Sequence, residues 1–172
     1  MSQWIYSYGK GNRERYTLGE VGSKTLVCIG INPSTATPEK LDNTLTRVRS
    51  RALDAGYDSW IMLNVYPQRA TDPNKLHKNI HLDSHRKNVE EIEKILKTGN
   101  YDIWAAWGTL IEKRRYLLRC LRDIVDVTNS NIKWYSVGDK SKAGHPHHPL
   151  YLKKELLFDP FYINNYLRDI IL

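Results

Sequence analysis

Four short apolar segments alternate along the chain with longer segments in which apolar residues recur every three or four positions. Short apolar segments of this kind are typical of strands buried on both faces of a sheet. They are Thr25–Ile29, Ser59–Tyr66, Tyr101–Trp107 and Ile132–Val137. The segments between them favour amphipathic helices that begin at Asp42, cover Asp83–Lys97 and cover residues 110–125. This alternation predicts an α/β fold, a three-layer αβα sandwich with a four-stranded parallel sheet whose first and third strands are central.

The two ends of the chain predict smaller elements. Residues 1–20 alternate aromatic and polar side chains around a glycine-rich turn, which favours a hairpin or an extended N-terminal arm. Residues 153–172 contain two apolar clusters separated by Pro160 and favour a helical tail. Residues 24–152 form the α/β core. Because no repeat, low-complexity tract or linker divides the chain, we expect residues 1–172 to form a single domain.

The composition, 41% hydrophobic and 26% charged, is that of an ordinary globular protein. No apolar segment approaches the ~20 residues of a membrane-spanning helix, and the first residues lack the apolar region of a signal peptide. We therefore expect a cytoplasmic protein with no membrane partner. Cys28 and Cys120 lie within apolar segments, which indicates buried thiols rather than a disulfide.

The charge balance favours a polyanionic partner, nucleic acid or nucleotide. Lys and Arg number 26 against 19 Asp and Glu, for a net charge of +7. Eleven Tyr and five Trp supply rings on which bases can stack. Arg47, Lys140 and Lys142 are candidate phosphate-binding residues. We also expect Lys10, Arg13, Arg15, Arg47 and Arg51 to supply part of an anion-binding face. No phosphate-binding loop motif accompanies Lys140 and Lys142, so a solvated basic loop is the alternative interpretation.

Distinctive residues follow each of the predicted strands. The first leads into Gly30–Thr35, the second ends at Asn64, the third is followed by Gly108, and the fourth leads to His145–Leu150. The carboxyl ends of parallel strands lie along one edge of a sheet, where ligands bind in open α/β folds. We therefore predict that Asn32, Asn64 and His148 converge on one pocket. The alternative is that Ser34 or Thr35 only caps the next helix.

Several motifs resemble a family of bacterial and phage proteins of unknown function, and this resemblance covers nearly the whole chain. They are NPSTA at 32–36, Asp42 with Thr44 and Arg47, Asn64, RATDP at 69–73, AWG at 106–108 and HPLY at 148–151. This resemblance implies no known activity.

A more distant resemblance is to the uracil-DNA glycosylase superfamily. Gly30-Ile31-Asn32-Pro33-Ser34 is similar to the Gly-Ile-Asn-Pro-Gly motif of its mismatch-specific members, and Trp107-Gly108 is similar to a later strand end. The resemblance implies a four-stranded parallel sheet with helices on both faces. It further implies that Asn32 positions the attacking water, that Asn64 reads the base edge, and that the loop containing His145 and His148 stabilises the departing base.

The chain departs from this second family at several positions. Ser34 replaces the last glycine of the motif, and the Asp of the strongest uracil enzymes does not follow the first strand. The final loop lacks the serine and the second proline in their usual register, and the cysteines of an iron–sulfur cluster are absent. The resemblance therefore implies the fold more strongly than the catalysis.

The chemistry of N-glycosidic cleavage can be assigned to residues of this chain. Cleavage requires a base pocket, stabilisation of the departing anion and a held water. The Asn64 carboxamide matches a base edge, the His148 imidazole can stabilise negative charge, and Asn32 can only orient water. Asp42 is the carboxylate able to act as a base if it faces the pocket; otherwise it only caps a helix. Further ligand-binding candidates are Gly30, Pro33, Ser34, Thr35, Tyr66, Arg69, Trp107, Gly108 and His145.

We expect no metal and no cofactor. His145, His147 and His148 are spaced too closely for an ordinary three-histidine site, and no Cys or carboxylate accompanies them. The leading hypothesis is a nucleic-acid or nucleotide-binding protein with a glycosylase-like base pocket. If it is an enzyme, it hydrolyses the N-glycosidic bond of a base in DNA. The alternatives are a non-catalytic binding module for a small nucleotide and a protein-interaction or inhibitory protein that uses the same edge.

Overall fold

A computed structural model describes residues 3–171 of the chain, without the side chain of Ile171. A mixed sheet of seven strands lies at its centre, in the order β1-β2-β4-β3-β5-β6-β7. The strands are β1 (Gln3–Tyr8), β2 (Arg15–Val21), β3 (Thr25–Gly30), β4 (Ser59–Asn64), β5 (Asp102–Ala105), β6 (Trp134–Val137) and β7 (Phe158–Pro160). The helices are α1 (Asn43–Asp54), α2 (Leu82–Leu96), α3 (Tyr116–Asp126) and α4 (Ile163–Ile171).

The fold is α/β, as predicted, but its sheet has more strands than the sequence predicted. Strands β4, β3, β5 and β6 are parallel neighbours, and β3 and β5 lie inside the sheet as expected. The prediction of a four-stranded parallel sheet was wrong in extent, because β2 pairs antiparallel with β4 and β7 pairs antiparallel with β6. These added strands cover the edges that a four-stranded sheet would leave open, where unpaired backbone groups invite association.

Helices pack on both faces of the sheet. Successive strand residues point to opposite faces, so Leu26 and Cys28 of β3 face α1 whereas Val27 and Ile29 face the other side. Helix α1 buries its apolar positions on the first face, and α2, α3 and α4 contribute to the larger core on the second. The two thiols are free and buried, and burial raises the pKa of Cys28.

Three predicted elements differ in detail. Within the predicted segment at 1–20, β1 and β2 form a hairpin that joins the main sheet. The tail at 153–172 contains β7 as well as helix α4; residues 1, 2 and 172 lie outside the described residues. The helix predicted over 110–125 begins at Tyr116, after a 3-10 turn at Thr109–Glu112. Gly108 precedes that turn with φ 67, which redirects the chain before α3.

No helix within residues 3–171 is both long enough and apolar enough to cross a membrane.

Candidate functional site

A cavity of about 440 Å³ lies at the carboxyl ends of β3 and β4. Its volume is that of a site for a small organic ligand. Seven parts of the chain line it: the start of β2, the turn after β3, the start of α1, the end of β4, residues 70–73, the segment after β5 and the loop before residue 152. The cavity therefore forms where the sequence placed the polar strand ends. Among the predicted residues it brings together Gly30, Asn32, Pro33, Ser34, Asp42, Asn64, Trp107, Gly108 and His148.

Asn64 is a buried polar residue of this cavity. The residue is 1% exposed, and neither its Nδ2 nor its Oδ1 has a hydrogen-bond partner. A buried carboxamide left unpaired costs about 1–3 kcal/mol. The residue opposite it in the sheet, Gly30, keeps the space open, because a Cβ there would lie 3.2 Å from Asn64 Oδ1. A ligand that offers an acceptor beside a donor would recover this cost.

Asn32 uses one end of its carboxamide to hold two loops together. Its Nδ2 donates to the backbone oxygens of Pro33 at 3.0 Å, Gln68 at 3.2 Å and Ala70 at 2.9 Å. Three carbonyl acceptors fix the orientation of the amide, because Oδ1 could not take that place. Oδ1 is therefore the atom that remains for a ligand or a water molecule.

His148 lies on another wall of the cavity. Its Nδ1 accepts the backbone N–H of Leu150 at 3.2 Å, so the neutral ring carries its proton on Nε2. Burial, and then the neighbouring His147, lower the pKa of His148, whereas the charge of Asp42 opposes the shift. Gly108 packs beside it, since a Cβ there would lie 3.3 Å from His148 Cβ. A neutral ring with an Nε2–H donor suits a developing negative charge.

Asp42 caps a helix and also lines the cavity. Its Oδ1 accepts the backbone N–H of Leu45 at 2.9 Å, which makes it the N-cap of α1. Of the described residues that line the cavity, Asp42 is the one carboxylate. Both interpretations made from the sequence are therefore compatible with its position, because the cap engages a single oxygen.

The sequence predicted Arg15 to lie on a basic face and did not place it in the pocket, but Arg15 lines the cavity and is 1% exposed. Its Nη1 donates to Ala36 O at 3.3 Å, and its Nε has no hydrogen-bond partner. Burial, followed by the nearby charge of Arg69, lowers the pKa of Arg15 to about 10, against the opposing effect of Asp42. The side chain is therefore charged at neutral pH. The sequence signal for this position is that Arg15 is the one basic residue of RYTLGEV, the segment that forms β2.

Three predicted ligand residues, Arg69, Tyr66 and Thr35, lie outside the cavity wall. Arg69 donates from Nη1 to Ser34 O at 2.7 Å and from Nη2 to Tyr6 Oη at 2.8 Å. Tyr66 is buried behind the site, where its hydroxyl lies 2.6 Å from His77 Nδ1, and burial raises its pKa to about 12. Thr35 is exposed and lies outside the cavity wall.

His145 is fully buried. It anchors the loop His145–Leu150, which we call the histidine loop, on the side away from the cavity. Tyr166 of α4 accepts a hydrogen bond from Trp107 Nε1 at 3.0 Å. The same hydroxyl oxygen lies 2.7 Å from His145 Nδ1, within hydrogen-bond distance. On the other side of the ring, Glu112 Oε1 lies 3.1 Å from Nε2. This chain of contacts connects a cavity residue, Trp107, with α4 and with the loop that contains His148.

The three candidate phosphate-binding residues lie outside the cavity. Arg47 is exposed and borders a separate groove between α1 and the segment at 152–158. Lys140 Nζ lies 5.8 Å from the centre of the Phe161 ring, and Lys142 is exposed. Within residues 3–171, no group of three or more His, Cys, Asp or Glu side chains is placed to hold a metal ion.

Fold and cavity together define an α/β protein with a cavity at the carboxyl edge of its parallel strands. The chain matches the family described as "Protein of unknown function (DUF1643)" over residues 15–150, and it belongs to that family. The matched region begins at Arg15 and includes the cavity-lining residues apart from Tyr151. Searches of the curated proteins and of the solved structures found no match.

Proposed function

We propose that this protein binds a nucleobase in the cavity, as part of a nucleotide or a nucleic acid. The observation that carries the proposal is the Asn64 carboxamide, which is 1% exposed and unpaired at both polar atoms. A carboxamide offers a donor beside an acceptor, and the edge of a nucleobase offers the complementary pair. Hydrogen bonds to a base would offset the desolvation cost of both Asn64 Nδ2 and Asn64 Oδ1.

We further propose that the fold is of the uracil-DNA glycosylase type and that the reaction is hydrolysis of an N-glycosidic bond. The similarity of Gly30–Ser34 to the glycosylase motif supports this assignment. Asn32 Oδ1 would hold the water, and His148 would donate a hydrogen bond from its Nε2–H to the departing anionic base, keeping its proton. Water adds to the sugar C1′, the C1′–N bond breaks with its electron pair on the base, and Asp42 takes a proton from the water.

A binding module for a small nucleotide, without hydrolysis, is the second candidate. The observation that favours it is the N-cap hydrogen bond of Asp42, which engages the one described carboxylate of the cavity wall in helix capping. Salt dependence separates the two candidates. Binding to DNA should weaken steeply as salt rises, because many phosphate contacts release counterions, whereas binding of one small nucleotide should respond less.

Titration calorimetry with nucleosides, nucleotides and single-stranded oligonucleotides tests the proposal. Asn64→Asp should weaken binding by about 1–3 kcal/mol, because a donor becomes an acceptor and a ligand acceptor is left unpaired. The matched control, Asn131→Asp, changes an exposed asparagine far from the cavity wall and should leave affinity unchanged. Melting temperatures of both variants report folding, and release of free base from an oligonucleotide reports hydrolysis.

Equal affinity of the wild-type protein and a folded Asn64→Asp variant would contradict the proposal. A crystal soaked with the tightest ligand provides a second, mutation-free check. The base edge should lie against Asn64, and a ligand bound anywhere else in the protein would refute the assignment of this cavity. Binding without base release would select the second candidate.

A further inference from the structure

Two arginine side chains, one of them on the cavity wall, donate to a single backbone oxygen. Arg15 Nη1 donates to Ala36 O at 3.3 Å, and Arg69 Nη1 donates to the same atom at 3.1 Å. Among residues 3–171, neither guanidinium forms an ion pair with a carboxylate, and the Nε of each lacks a hydrogen-bond partner. We call Arg15 and Arg69 the arginine pair.

Two like charges side by side, the buried Arg15 and the half-buried Arg69, are costly unless an anion accompanies them. Taking a guanidinium out of water carries a large desolvation penalty that only a charged partner offsets well. The first turn of α1 adds partial positive charge, because Thr44 and Leu45 lie on the cavity wall. Asp42 is the one carboxylate on that wall within the described part of the chain. The net charge around the arginine pair is therefore positive. A neutral carbonyl group of a ligand would not neutralise this charge, whereas an anion would.

We propose that the arginine pair receives the phosphate monoester of a free nucleotide whose base occupies the cavity beside Asn64. This inference rests on the proposed base binding. Arg15 would contact the phosphate, since it lines the cavity and its Nε is unpaired. Arg69 stands behind it and adds charge. A terminal monoester suits this buried position better than a diester of DNA, because a polymer backbone must continue on both sides of each phosphate.

Paired titrations of nucleosides and their 5′-monophosphates test the inference. With the wild-type protein, the monophosphate should bind about tenfold more tightly than the nucleoside, as expected for charge-assisted hydrogen bonds. In Arg15→Gln this preference should disappear while affinity for the nucleoside remains. Arg13→Gln is the matched control, because it removes an exposed arginine of the same hairpin and should preserve the preference.

The possible failures are distinguishable. If nucleosides bind as tightly as monophosphates, the role of the arginine pair is overturned while the proposed base binding stands. If oligonucleotides outcompete the monophosphate, the phosphate comes from nucleic acid and the free-nucleotide assignment is wrong. If neither nucleosides nor nucleotides bind, the proposed function fails as well. Should Arg15→Gln not fold, inorganic phosphate must displace the monophosphate but not the nucleoside from the wild-type protein; lack of displacement overturns the inference.

Discussion

Three side chains on the cavity wall each have one polar atom hydrogen-bonded to the backbone, which leaves a second polar atom available to a ligand. Asn32 Nδ2 donates to three backbone carbonyls. His148 Nδ1 accepts the backbone N–H of Leu150, and Asp42 Oδ1 accepts a backbone N–H at the start of α1. Because each group is already oriented, little conformational entropy is lost when a ligand arrives. Asn64 differs, since both of its polar atoms are free of hydrogen-bond partners.

Gly30→Ala should close part of the cavity. A Cβ at this position would lie 2.6 Å from Met62 Cε and 3.2 Å from Asn64 Oδ1. We expect overpacking to lower the free energy of unfolding by about 1–3 kcal/mol and base affinity to fall with it. In the control, Gly99→Ala, the nearest atoms to the new Cβ are 3.5 Å away, so denaturation and titration should be unaffected. Unchanged affinity in Gly30→Ala would show that the ligand lies elsewhere.

The lowered pKa of His148 predicts a loss of stability in mild acid. Burial and His147 place its folded-state pKa below the ordinary value, so the unfolded chain binds more protons than the folded one. The free energy of unfolding should therefore fall as pH drops through about 6.5, and level off below the folded pKa. Urea denaturation between about pH 7 and pH 5 measures this slope.

His148→Gln should flatten that dependence, leaving the part due to His77, whose pKa burial also lowers. His147→Gln, at an exposed neighbour, should retain most of the slope. A slope that is identical in the wild-type protein and His148→Gln would mean that His148 does not contribute to it.

At the scale of elements, the start of α1 combines a structural and a chemical task. The helix begins at Asn43 behind an aspartate cap, and its first turn forms part of the cavity wall. The carboxylate that ends the loop after β3 therefore also borders the cavity. Two substitutions separate the tasks, because asparagine caps helices about as well as aspartate but carries no charge.

Asp42→Ala should lower the free energy of unfolding by about 1 kcal/mol through loss of the cap. Asp42→Asn should retain nearly wild-type stability and yet abolish base release if the carboxylate accepts the proton of the water. Asp54→Ala, at the exposed end of the same helix, serves as the control for both measurements. Base release at the wild-type rate in Asp42→Asn would remove Asp42 from the mechanism.

At the scale of the whole molecule, the C-terminal helix fastens the histidine loop to the sheet. Tyr166 of α4 is bonded both to Trp107 after β5 and to His145 in the loop. Burial raises its pKa, so the hydroxyl remains protonated and able to donate. Residues far apart in the chain thereby set the position of one cavity wall.

Tyr166→Phe should lower the free energy of unfolding by about 1–3 kcal/mol, because Trp107 Nε1 and His145 Nδ1 both lose their buried partner. Thermal or urea denaturation measures the loss. Tyr162→Phe removes a hydroxyl from a residue that is 67% exposed and should be neutral. Stability equal to wild type in Tyr166→Phe would show that the loop does not depend on α4.

Local pattern was enough to predict the interior strands and the strand ends that carry Asn32 and Asn64. A parallel strand buried on both faces must be apolar along its length, and the polar residue where it ends must lie at the sheet edge. Pattern could not reveal the extra strands. The hairpin residues alternate like any exposed ribbon, and only their pairing with β4 shows that Arg15–Glu20 are buried.

The sequence by itself determined the α/β alternation, the cap at Asp42 and the chemical identity of the groups at the sheet edge, because these follow from local spacing and side-chain type. The tertiary structure decided which groups share a cavity. Arg15 lies on the cavity wall, whereas Arg69 and His145 lie outside it. Both polar side-chain atoms of Asn64 lack a hydrogen-bond partner. These outcomes depend on contacts between residues distant in the chain, which no local pattern encodes.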